Sequence, residues 1–113
     1  MAGFRIDLNQ FDCTLEQFSN DCVALGFTGL GTAYYYLIPE ACTFLSENAR
    51  TKTYPYCEPF TNKIYSYDAV NYPNAVNYLK NFLRWATFCE KYTEDDCRYA
   101  YEIVKSVADK YRK

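Results

Sequence analysis

Residues 71–91 read NYPNAVNYLKNFLRWATFCEK and carry the strongest periodic signal in the chain. Asn71 is placed to cap a helix. Pro73 falls in the first turn, where a missing N–H costs nothing. Asn77, Lys80, Asn81, Arg84 and Lys91 keep largely to one side. Val76, Tyr78, Leu79, Phe82, Leu83, Trp85, Ala86, Phe88 and Cys89 fill the remainder. So wide an apolar arc predicts a helix covered on more than one side, the central core helix of a mainly α fold.

The flanking segments read as helices too. Thr93, with Asp96 three residues on, starts a last helix. Glu94, Asp95 and Asp96 at its start and Lys110, Arg112 and Lys113 at its end complement its dipole. Its predicted apolar stripe is Cys97, Ala100, Tyr101, Val104, Val107, Ala108 and Tyr111. The short turn before Thr93 sets these two helices antiparallel.

Nearer the N-terminus, Thr14-Leu15-Glu16-Gln17 fits a capping box, and Leu15, Phe18, Cys22 and Leu25 follow at helical spacing. Gly26 suits the residue just past that helix, because it tolerates positive φ. Residues 1–12 look extended or irregular, with Phe4, Ile6, Leu8 and Phe11 available to pack. Residues 39–49 read as helix. Residues 33–38 read either as a strand, which their aromatics and isoleucine suit, or as a helix kinked at Pro39. Residues 64–67 read as irregular or a short strand, and pairing the two stretches gives a two-stranded ribbon, the α+β alternative. Pro55 and Pro59 keep a regular helix out of the region around Cys57.

At 113 residues the chain is expected to be one domain, long enough to bury a core. Its six cysteines, Cys13, Cys22, Cys42, Cys57, Cys89 and Cys97, are an even set without the short spacing of zinc ligands, and the chain has no histidine. The expectation is a small disulfide-stabilised bundle of three to four helices, secreted into an oxidising compartment. Cys89 and Cys97, either side of the turn, are the favoured pair. Cys13 and Cys22 are excluded as a pair, because the helix carries one away from the other. The first residues lack the apolar run of an export signal. Secretion then requires that the chain be a mature form with an added start. No stretch is long and apolar enough for a membrane span.

The missing histidine removes His-based triads and imidazole metal sites. The run Glu94-Asp95-Asp96 reads as a charged helix start rather than a catalytic pair. The glycines of LGFTGLGT, residues 25–32, do not match a phosphate-binding pattern. No enzyme activity, catalytic residue, cofactor or metal is expected. The formal net charge of −2 argues against a nucleic-acid partner.

Thirteen tyrosines and eight phenylalanines are the notable positive feature. Tyr78, Tyr92, Tyr101 and Tyr111 fit half-buried helix positions. Tyr54, Tyr56, Phe60, Tyr65 and Tyr67 fall instead in a proline-pinned irregular stretch. Rigid aromatics on a pinned loop are what a protein interface uses, because little entropy is lost on binding. The expected function is a secreted interaction protein, of effector, toxin-like or signalling type, binding a protein partner through these five residues. The alternative is a carrier of a small apolar ligand between helices, lined by Tyr36, Phe82, Trp85 and Phe88.

Overall fold

The computed structural model describes residues 2–32 and 37–113. These fall into two compact units. One joins the residues up to 34 with residues 80–113; the other is formed by residues 35–79.

The first unit is built on a sheet that the mainly α expectation did not contain. Strands β1 (Ala2–Arg5), β2 (Leu30–Thr32) and β3 (Phe82–Trp85) form an antiparallel sheet in the order β1-β3-β2. Ala2 and Leu30 both pair with Trp85, and Phe4 and Thr32 both pair with Leu83. The predicted core helix of residues 71–91 is therefore corrected. A helix, numbered below with its unit, covers only Pro73–Lys80, and the chain then becomes strand. Along β3, Leu83 and Trp85 enter the main core, whereas Phe82 is buried outside it. That is a period of two. An apolar run buried on both faces of a sheet fills a helical wheel all the way round, which is how the strand came to read as a core helix. On the second face the Phe82 ring lies against Gly3. A Cβ there would come within 2.3 Å of the ring, so that position has no room for a side chain.

Helix α1 (Leu15–Ala24) starts at the expected box. The Thr14 hydroxyl accepts the Gln17 N–H at 3.1 Å, and the Gln17 amide oxygen accepts the Thr14 N–H at 2.8 Å. It ends in a Schellman turn. Phe27 N–H reaches the Cys22 carbonyl and Gly26 N–H the Val23 carbonyl, both at 3.0 Å, with Gly26 at φ 105°.

The second unit contains α2 (Ile38–Ala41), a single turn, then α3 (Thr43–Thr51) and most of α4 (Pro73–Lys80). The single helix expected over 39–49 is interrupted at Cys42, whose φ of −114° and ψ of 73° lie outside the helical range. Pro73 opens α4 as expected, but Asn71 does not cap it. The Tyr72 carbonyl accepts the first helical bond, from Val76 at 3.0 Å, and the Asn71 amide turns back to Ser66. Residues 64–67 form no strand. Of the ribbon expected to pair with them, residues 33–36 lie outside the described residues and Ile38 begins α2.

Returning to the first unit, α5 (Glu94–Tyr111) opens on the box of Thr93 and Asp96 and is the longest helix among the described residues. Its buried residues are Ala100, Ile103 and Val107, while Cys97 and Tyr101 are exposed. The inward face is thus turned from the predicted stripe toward Ile103. Phe18 and Cys22 of α1, Leu83 and Trp85 of β3, and the three buried α5 residues share one core with Ile6, Phe27 and Leu30. Phe4, Leu8 and Phe11 pack against it, as expected of the N-terminal segment.

The cross-links are corrected as well. Cys13, Cys22, Cys42, Cys57, Cys89 and Cys97 are all free thiols, including the favoured pair Cys89 and Cys97. What holds the first unit is a sheet sandwiched into an apolar core, so the fold is α+β and not a disulfide-stabilised bundle. Free thiols give no support to an extracellular placement.

Candidate interaction surface

The second unit carries the five aromatic residues singled out in the sequence. The chain leaves α3 through Lys52, which takes a left-handed backbone at φ 54°. The Asn48 amide donates to the Tyr54 carbonyl at 3.2 Å, tying the next segment back to the helix. Phe60 and Thr61 N–H groups both return to the Cys57 carbonyl, at 2.9 and 3.1 Å, which closes a tight turn.

The rings form two groups. Tyr54 and Phe60 meet edge to face with centroids 5.0 Å apart. Tyr56 meets Tyr65 at 5.4 Å and Tyr67 at 6.0 Å, and the Tyr56 and Tyr67 hydroxyls share a 2.7 Å hydrogen bond. That bond, and then burial, hold the Tyr67 phenol above its ordinary pKa. Tyr67 therefore stays neutral at physiological pH, and its hydroxyl serves to position rings. Exposure separates the five. Tyr54 and Phe60 are 67% and 62% exposed and Tyr65 is 40% exposed, whereas Tyr56 and Tyr67 are half-buried. The first three face water; the other two support them.

Tyr67 also belongs to a feature that sequence reading missed. It lines an open apolar groove of about 610 Å³ within this unit, with Ile38 of α2, Leu45 of α3, and Tyr72, Tyr78 and Leu79 in and before α4. The signal was present as the spacing of Tyr72, Ala75 and Leu79. It was absorbed into the longer helix assigned to residues 71–91.

The side chains proposed for a carrier do not come together as one lining. Tyr36 lies outside the described residues. Trp85 and Phe88 are in ring contact at 4.9 Å, but Phe82 alternates to the other face of β3 from Trp85. Among the half-buried tyrosine positions, Tyr92 and Tyr111 pack on the core, while Tyr101 is largely exposed.

Three ionisable groups of the first unit are shifted by local contacts or burial. Asp96 is held below its ordinary pKa by the Thr93 N–H and hydroxyl, as a capping carboxylate is. Asp21 is likewise lowered by hydrogen bonds from Lys110 and Tyr111. Burial, with Asp21 adjacent, raises the Cys22 thiol to about 11, far from the thiolate a nucleophile requires. Among the described residues no three His, Cys, Asp or Glu side chains gather to hold a metal ion, and no helix is long and apolar enough to cross a membrane. Compared with family models, curated proteins and solved structures, the chain matches none.

Proposed function

We propose that the protein is a non-catalytic interaction module that binds a protein partner through the aromatic surface of residues 54–67. One observation carries this reading. No described residue of the second unit is buried, and among the described residues eight of the twelve exposed large hydrophobic side chains lie in residues 37–79. A segment that leaves Ile38, Phe44, Tyr54, Phe60, Ile64, Tyr65, Val70 and Tyr78 in water has apolar surface to bury elsewhere. Ring-on-ring contacts fix Tyr54 and Phe60 before any partner arrives, so docking them costs little conformational freedom. Aromatic anchors of this kind dominate binding energy at interfaces.

Panning a random-peptide display library against the intact chain tests the proposal. Enriched peptides are expected to bind the wild type saturably and to lose about tenfold or more in affinity to Phe60→Ala and to Tyr54→Ala. Both residues are exposed, so melting temperatures should stay close to wild type. Panning that enriches nothing, or peptides indifferent to both substitutions, would contradict it.

A further inference from the structure

None of the described residues of the second unit is buried, and its cysteines, Cys42 and Cys57, are free thiols. Small units without a core of their own are usually held by covalent links. The groups for a link that needs no sulfur are present at Tyr56 and Tyr67. Their hydroxyl oxygens are 2.7 Å apart, and their ring centroids are 6.0 Å apart at an interplanar angle of 76°.

The two distances together fix how the rings face. Phenols extended away from each other across a hydroxyl–hydroxyl bond would hold their centres farther apart. At 6.0 Å both rings swing to the same side of the O···O line, and one ortho edge of each approaches the other. That is the arrangement of dityrosine, in which two phenols are joined carbon to carbon at positions ortho to their oxygens. The oxygens of that product lie within hydrogen-bonding distance of one another, and here they do so before any bond is made. The Tyr56 ring also meets Tyr65 at 5.4 Å, which offers a competing partner.

We infer that Tyr56 and Tyr67 are an oxidative modification site, at which a haem peroxidase fed by hydrogen peroxide joins the two side chains as dityrosine. Each phenol gives up one electron and its hydroxyl proton, leaving a phenoxyl radical whose unpaired electron is shared with the ortho carbons. The two radicals pair to form one carbon–carbon bond. The hydrogen on each joined carbon then moves as a proton to the oxygen of its own ring, restoring both phenols. One peroxide takes up the two hydrogen atoms lost and becomes two waters. Both side chains are half-buried, so each keeps surface in water, and the step removes an electron and a proton rather than admitting a ligand. Held side by side, the rings couple within one chain ahead of encounters between chains. The bond closes a loop over residues 56–67 and leaves Tyr54 and Phe60 exposed. It forms whether or not those residues meet a partner.

The intact chain, dilute enough to disfavour coupling between chains, is treated with a haem peroxidase and limiting hydrogen peroxide. Dityrosine fluorescence should rise while the chain stays monomeric and becomes lighter by two hydrogen atoms. Fragment sequencing of the linked tryptic peptides should place the bond between Tyr56 and Tyr67, although Tyr54, Tyr99 and Tyr101 are more exposed. Tyr67→Phe keeps the ring and removes the phenol. It should lower the yield of the intrachain link about tenfold or more, whereas Tyr54→Phe should leave the yield unchanged. A chain that yields no intrachain dityrosine overturns the inference. So does a bond from Tyr56 to Tyr65, or one that follows exposure to Tyr54, Tyr99 or Tyr101. That assignment is made on the wild type and does not rely on any variant folding.

Discussion

Asp21 joins the two ends of the first unit through side chains. The Lys110 ammonium donates to its carboxylate at 2.5 Å and the Tyr111 hydroxyl at 2.8 Å. Nothing in the sequence links residue 21 to residues 110 and 111, because the pairing exists only once α1 lies against α5. The Asp21 carboxyl sits below its ordinary value of 3.8, mainly through the Lys110 bond and then the Tyr111 bond. Its contribution to stability is therefore fully present above about pH 3.8 and lost as the pH falls through the lower folded value. Asp21→Asn should lower the urea midpoint at pH 7, and the gap from wild type should close in acid; a gap independent of pH would contradict the assignment. Gly29 illustrates a second constraint of this size. Its φ is 81°, and a Cβ would meet the Thr87 hydroxyl oxygen at 2.5 Å, beside the bond from Ala86 N–H to the Gly29 carbonyl at 2.9 Å. Gly29→Ala should cost more than about 1 kcal/mol by urea denaturation, because both strain and a clash are introduced.

Capping is where elements were most legible. Both boxes were visible as Thr14 with Gln17 and Thr93 with Asp96, since the chemistry needs only residues three apart. Thr93→Ala should destabilise the protein by about 1 kcal/mol, seen as a lower thermal or urea midpoint. The α4–β3 segment was the least legible. Residues 73–80 are helix and 82–85 strand, and one reading window spanning both averages two periods into a single broad arc. Only the partners β1 and β2, which are distant in sequence, decide that Phe82–Trp85 is extended. Leu83 marks the difference experimentally. It is fully buried at the sheet centre, and Leu83→Ala should cost about 2–5 kcal/mol in denaturant titration. The aromatic loop was legible as a cluster, because Tyr54 to Tyr67 are close in sequence. Which rings face water and which support them required the Tyr56–Tyr67 hydrogen bond.

At the scale of the molecule, sulfur chemistry is the sharpest check. An even cysteine count is consistent with bridges, but pairing depends on positions that spacing alone does not fix. In denaturant without reductant, six thiols should titrate per chain. In the native state Cys89 and Cys97 should react first, being exposed, and Cys22 last, because burial raises its pKa to about 11 and shields the atom. Fewer than six thiols would restore the cross-linked reading. The order β1-β3-β2 has one more result, which concerns biosynthesis. Ribosomes deliver the outer strands early and the middle one late, so residues 2–5 and 30–32 have no sheet to join until residue 85 has cleared the exit tunnel. Until then the two outer strands are extended segments whose common partner has yet to be made, so the sheet of the first unit closes only after β3 has emerged.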